Sequence, residues 1–347
     1  MSKTKLNVIY QSIGLPRLII TGFVVVLCLL LPILGLQSDM LFSQSLTRIF
    51  MNLILVLAMV PSITSGIGMN YGLPLGIVCG LLGGALSLEL RITGLAGFLA
   101  AICISLPLAA LFGVGYGILL NKVRGSEGMI ATYVGFSVVA FMDIVWLVSP
   151  FKNDAITFPM GSGLRNIVSV EGSYEKILDN FLKIRITKNI EIPTGLILFS
   201  LLCCLLMWIF LRTRLGIKMK IGGANPTYAR AIGIKVDKTR ILGMVISTCL
   251  GAIGIIVYAQ SYGFYQFYNA PLMMAFSCAA AILIGGATVR RATVTHVIFG
   301  TVLFQTMLTI ALPIANEVMP EGNLSEIIRI IISNGVILYA LTKAGDK

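Results

Sequence analysis

The stretch "GGANPTYARAIGI" (Gly222–Ile234) reads as one short, well-capped helix. Asn225 is an N-cap, its side-chain oxygen placed to accept from a backbone N–H two or three residues on. Pro226 takes the first helical position, where its missing N–H costs nothing. Tyr228, Ala229, Arg230, Ala231 and Ile232 carry the turn onward. Gly233 suits the left-handed residue that ends it, and Gly222 and Gly223 are read as a flexible entry. About two turns of helix are not stable alone in water. This one needs a surface to dock on, and its flanks decide which.

Those flanks are hydrophobic. Of 347 residues, 57% are hydrophobic and 12% are charged, against about a quarter charged in soluble domains. So much apolar surface calls for lipid. Runs long enough to span, about 20 residues at 1.5 Å each, centre on 18–36, 46–68, 72–88, 95–120, 128–149, 193–211, 241–259, 272–289, 294–312 and 326–342. The expected fold is all-α: a polytopic membrane protein of about ten transmembrane helices in a single transmembrane domain, 1–347. The first run follows Lys3, Lys5 and Arg17 but lacks a small-residue cleavage site, so it reads as a retained helix.

The net charge of +12 reads as orientation rather than nucleic-acid binding, because short cytoplasmic loops collect Lys and Arg. With both termini inside, the inner loops hold Lys122, Arg124, the cluster from Arg212 to Arg240, Arg290, Arg291, Lys343 and Lys347. The extracytoplasmic loop 150–192 is nearly neutral, and 212–240 forms a basic cytoplasmic loop containing the opening helix.

Much familiar chemistry is missing. The seven cysteines sit in apolar runs without metal or redox spacing, so no metal site is expected. No phosphate loop, HExxH or GxSxG occurs, so no catalytic residues are named. His296 is the lone histidine. Asp143 is the clear acidic residue within a span, and it anchors one alternative, an ion-coupled secondary transporter. Otherwise the chain reads as a conduit powered from elsewhere.

Two readings of the loop helix compete: an amphipathic helix resting on headgroups, and a coupling helix seated in a cleft of a separate ATPase. "GGANPTYARAIGIKVDKTR" followed by "ILGMVISTCLGAIGIIVYAQ" resembles the cytoplasmic loop and next helix of permease subunits of ABC importers for ribose and other simple sugars. "AFSCAAAILIGGATVRRATVTHVIFGTVLFQTML" resembles the same family, and the likeness extends from about residue 45 to the carboxyl end. It implies a transport subunit, not an enzyme, in the inner (plasma) membrane. The implied partners are a second permease, identical or related, an extracytoplasmic binding protein, and an ATP-binding subunit that holds ATP and Mg; this chain holds no cofactor. Gly222, Gly223, Asn225, Pro226, Tyr228, Ala229, Arg230, Ala231, Ile232 and Gly233 would then couple to the ATPase. The implied solute is a simple sugar. A departure at "GIGMNYGLPLG", with Asn70 near the place where sugar permeases carry Asp, leaves nucleoside import as the alternative.

Irregular backbone survives in a bilayer only when buried in protein or lining a wet cavity. The stretch "PSITSGIGMNYGLPLG" (61–76) is broken by Pro61, Gly66, Gly68, Gly72 and Pro74. Ser65 and Asn70 are therefore candidates for the translocation path, against the plainer reading of a kinked helix. Ser277 and Gln305, in later spans, are further candidates. A second break at Gly285–Gly286 fits two inverted five-helix halves. Gly80 with Gly84 and Gly113 with Gly117 have the spacing of close helix contacts. Tyr262, Phe264 and Tyr265 stand at the expected outer mouth, where stacking on a solute and an interfacial aromatic belt are both open. In the outer loop, "SYEKILDNFLKI" has helical spacing of Ile177, Leu178, Phe181, Leu182 and Ile184.

Overall fold

The computed structural model describes residues 15–158, 163–187 and 190–318, with isolated residues at 330, 331, 334, 335, 338 and 342. The apolar runs fold as helices. They are α1 (Leu15–Ile33), α2 (Ser38–Leu57), α3 (Met59–Thr64), α4 (Pro74–Glu89), α5 (Gly94–Lys122) and α6 (Glu127–Val148). After the outer loop come α8 (Thr194–Phe210), α9 (Arg214–Ala224), α10 (Pro226–Ala231), α11 (Val236–Tyr262), α12 (Met274–Ile284) and α13 (Val294–Val318), while α7 (Ile177–Asn180) is a single turn within that loop.

Five segments are long and apolar enough to cross a bilayer, with α2 and α3 joined as Ser38–Thr64. A sixth results if α8 and α9, bent by 74° at their junction, count as one span. The shorter apolar helices α1, α4 and α12 also follow expected runs. The run at 326–342 lies largely outside the described residues.

α11 is the centre of the packing, laid against α5, α4, α2, α3 and α9. Small residues let the backbones meet. A Cβ on Gly80 would come within 2.5 Å of the Ala252 carbonyl oxygen, and one on Gly113 within 2.3 Å of Thr248 Oγ1. Without a hydrophobic drive between helices in lipid, such close packing is a main source of association. The glycine spacing in the sequence thus marks real contacts.

Loop contacts define two ends. At one, the α3–α4 loop meets α9, and Gly68 faces Val289 of the α12–α13 loop. There the α5–α6 turn is tied to the start of α11 by Arg124 to Asp237 and by Arg240 to Glu127 at 2.6 Å. This is the basic end. At the other, Glu89 accepts from the backbone N–H groups of Lys152 and Asn153. Strand β1 (Ile167–Ser169) pairs antiparallel with β4 (Phe264–Gln266), and β2 (Ile184–Thr187) with β3 (Ile190–Ile192).

The outer loop therefore differs from the expected amphipathic helix. Among the described residues of the loop only Ile177–Asn180 is α-helical, with Lys176 and Leu182 at left-handed φ values of 51° and 56° on either side of it. Leu178 is buried, while Phe181, Leu182 and Ile184 are exposed, with Ile184 starting β2.

Candidate functional site

The helix that opened the sequence is α10. Asn225 Oδ1 accepts from the Tyr228 N–H at 3.0 Å, Pro226 stands at the first position, and Gly233 has φ 82°. Ala229 is buried against the body of the protein. Tyr228 and Ile232 remain 57% and 49% exposed, two large apolar side chains presented side by side at the basic end.

One local expectation needs correction. Gly222 and Gly223 are not a flexible entry but the last turn of α9, whose N-cap Thr213 accepts from the Gly216 N–H. Gly223 lies directly on the broken span, while Gly222 faces Thr239 and Val236 of α11. A Cβ on Gly223 would sit 2.3 Å from the Thr64 carbonyl oxygen, and one on Gly66 2.7 Å from Gly223 Cα. Gly66 also has φ 79°, so it meets both a steric and a conformational demand. The backbone of α9 at Gly223 thus rests on the point where the α2–α3 span ends.

The polar groups of that span are tied up internally. Asn70 Nδ2 donates to Ser247 Oγ at 2.8 Å, Asn70 Oδ1 accepts from the Tyr116 hydroxyl at 3.1 Å, and Ser247 Oγ donates to the Ala58 carbonyl at 2.6 Å. Ser65 donates to the Ser62 carbonyl and packs on Gly243. Both Ser65 and Asn70 are buried. They form a sealed hydrogen-bonded joint between α3, the α3–α4 loop and α11.

Toward the opposite end lies a cavity of about 280 Å³ between α2, α11, α12 and α13. Ser277 and Gln305 both line it, together with Tyr262 at its rim. The structure thus joins three residues named from sequence and leaves Ser65 and Asn70 elsewhere. Phe264 packs against Tyr262 in a tilted pair with ring centroids 4.6 Å apart, whereas Tyr265 is fully buried edge-on to Tyr174. Asp143, on α6, is outside this lining.

The cavity also contains a residue the sequence reading missed. Arg48 lines it from α2, beside Asn52, Met51 and Tyr258. A second cavity of about 290 Å³ continues past Arg48 between Ser43, Gln44, Thr47, Ser261 and Tyr262. Gln44, Arg48 and Asn52 recur at four-residue spacing, which puts them on one helix face. That period was available in the sequence, but the stretch lay at the edge of an assumed span beginning at 46. The helix begins eight residues earlier, at Ser38.

Near the outer rim, Asp179 is buried in the outer loop. It accepts from Ser261 Oγ at 2.9 Å, which accepts in turn from Gln260 Nε2 at 2.6 Å. Burial raises the Asp179 carboxyl above its ordinary 3.8, and the bonds from Ser261 and Gln260 only partly offset it.

The described residues thus combine a bundle of membrane-length helices, a short helix beside a broken span, and a cavity toward the opposite end. Residues 34–337 match the family described as the permease component of the branched-chain amino acid transport system. The chain belongs to that family. Its members are transport permeases rather than enzymes, and its relatives divide over cargo. The chain is 25% identical to a fructose import permease of Bifidobacterium longum over 300 residues, 85% of this chain and 82% of the relative. It is 28% identical to a tyrosine transport permease of Clostridioides difficile over 148 residues, 42% of this chain and 48% of the relative. It is also 28% identical to a nucleoside ABC permease of Lactococcus lactis over 102 residues, 29% and 32% of the two chains.

Proposed function

We propose that this chain is the membrane-spanning permease subunit of an ATP-driven importer and forms the path for a small polar solute. The observation that carries the reading is the seating of α10. Its Asn225 cap fixes a short helix that presents Tyr228 and Ile232 outward, while Gly223 next to it lies on Thr64 and Gly66 of a span. A partner pushing on α10 would move that span directly, because the contact is backbone on backbone and cannot be absorbed by a side chain changing rotamer.

In this reading the basic end is cytoplasmic, in keeping with the usual bias of Lys and Arg, and both termini lie there. Ten spans in two inverted halves cross the plasma or inner membrane. A separate subunit binds ATP and Mg and docks on 212–240. A second permease flanks the cavity, and an extracytoplasmic binding protein delivers solute over the loop 150–192. The fructose relative supports a simple sugar as cargo and the nucleoside relative supports the alternative. An ion-coupled carrier centred on Asp143 has less support, since Asp143 does not face the cavity.

The test is affinity isolation of the chain from its native membranes with an ATPase assay on the material recovered. An ATP-binding subunit is expected to accompany it and to be lost when Gly222–Ile234 is replaced by a flexible linker. An ATPase-free preparation that moves solute down an ion gradient would overturn the reading.

A further inference from the structure

The charge of the basic end is concentrated at one bend. Between Glu191 and Asp237 the sequence has six basic residues and no acidic one. Four of them, Arg212, Arg214, Lys218 and Lys220, stand where α8 turns into α9, and all four are exposed. None takes part in an ion pair among the described residues. Arg214 and Lys218, four apart on one helix face, repel each other, and no carboxylate of the chain relieves them. The bend fixes where that charge sits. α8 has 17 residues, about 25 Å at 1.5 Å each, against a hydrocarbon layer of about 30 Å. The elbow after Phe210 therefore falls at the headgroup boundary, and α9, bent 74° from α8, runs along the membrane surface. Leu198, Leu201, Leu202, Leu205, Trp208 and Ile209 are all exposed and recur at three- and four-residue spacing, which makes one stripe down α8. Arg212 is the next position on that stripe. Its guanidinium lies over the Trp208 ring, 3.7 Å from the centroid, so the apolar stripe ends directly in a positive charge.

We propose that the α8–α9 elbow binds an anionic phospholipid, its phosphate held by Arg212, Arg214 and Lys218 and an acyl chain lying along the α8 stripe. A guanidinium presents parallel donors that fit the oxygens of a phosphate, and a tryptophan at headgroup level is where a membrane favours one. The stripe decides between occupants. From Leu198 to Ile209 it offers about 16 Å of apolar surface, for which a free anion has no use. An acidic protein docking from the aqueous side meets the basic residues but not Leu198 or Leu202, which lie within the hydrocarbon layer. The lipid supplies the counter-charge that the chain lacks and holds α9 in the surface plane, beside the contact of Gly223 with Thr64 and Gly66. This proposal requires that α8 cross the bilayer and does not depend on the importer reading.

The experiment uses the full chain, purified in a mild detergent and titrated with short-chain phosphatidylglycerol, short-chain phosphatidylcholine or inorganic phosphate. Native mass spectrometry and the melting temperature are the readouts. Phosphatidylglycerol should stay bound and raise the melting temperature, and the other two should do neither. Arg212→Gln with Arg214→Gln should weaken phosphatidylglycerol binding about thirtyfold, the scale for two basic residues at an anionic surface. Arg290→Gln with Arg291→Gln removes the same charge from the exposed α12–α13 loop and should leave that binding unchanged. Equal binding of phosphatidylcholine, full competition by inorganic phosphate, or equal losses in the two double variants would overturn the proposal. A photoreactive side chain placed at Leu202 and activated in native membranes should label phospholipid. This arm leaves the basic residues intact, so it reads the site even where a double variant does not fold; labelling of a second copy of the chain or of another protein there would overturn the proposal.

Discussion

The two ends of the molecule solve opposite problems. At the basic end, α9 lies on the broken span with glycine against backbone, and the α5–α6 turn is tied to α11 by ion pairs. Toward the other end, α2, α11, α12 and α13 leave a cavity whose lining mixes apolar side chains with Arg48, Asn52, Ser277 and Gln305. Close packing transmits displacement because interiors have low compressibility; a solute needs room and weak, replaceable contacts. The contrast separates where force would enter from where cargo would pass.

The sharpest way to break that contrast is to loosen the rigid end. Glu127→Leu strands Arg240, whose side chain is 7% exposed and bonded to Glu127 at 2.6 Å. Removing one member of a buried pair costs about 3–5 kcal/mol, so thermal unfolding of the purified assembly should shift strongly downward. Adding Arg240→Leu should recover much of the loss. An unshifted single variant would mean the pair is not holding α6 to α11.

Next in size is Gly223→Val. Its Cβ meets the Thr64 carbonyl at 2.3 Å, and overpacking of this kind costs about 1–3 kcal/mol. Unfolding temperature and ATP-driven uptake should both fall. Gly115 supplies the control, because a Cβ there meets nothing within 4 Å; Gly115→Ala should be neutral or gain up to about 1 kcal/mol of helix propensity. Equal effects at the two sites would remove the claim that α9 is seated on the span.

The smallest effect belongs to the outer rim. Burial raises the Asp179 carboxyl above 3.8, so the folded state favours its protonated form. The stability it contributes is fully present below the unfolded value and is lost as pH rises through the raised one. Asp179→Asn keeps an acceptor for Ser261 and removes the charge. Its melting temperature should equal or exceed wild type at neutral pH, and the fall in stability from acid to neutral pH should shrink. An unaltered pH profile would show that Asp179 is ionised in the fold at no cost.

Legibility of the sequence varied with the physics of each part. Helices announced themselves through run length, because a bilayer admits few other structures. The cap of α10 was readable because Asn225, Pro226 and Gly233 act locally. Gly223 misled for the converse reason: its Cα lies against Thr64 and Gly66, more than 150 positions away, and sequence shows only that a side chain is missing. The outer loop was misread as helical because left-handed turns at Lys176 and Leu182 leave no glycine to mark them. Ser277, Gln305 and Tyr262 converge through tertiary packing, which no spacing could foretell. Arg48 was overlooked when a span was started at the first unbroken apolar run rather than at Ser38.

The central claim is that α10 receives the motion of an ATPase and passes it to the spans. It is tested most directly by measuring uptake and ATP hydrolysis together in reconstituted membranes, with Tyr228→Ala and Ile232→Asp against wild type. Both residues are exposed and neither braces the fold. Uptake is predicted to fall by about tenfold or more, the scale of an interface anchor, while the chain inserts normally and hydrolysis no longer tracks transport. Uptake and hydrolysis at wild-type levels in both variants would contradict the account.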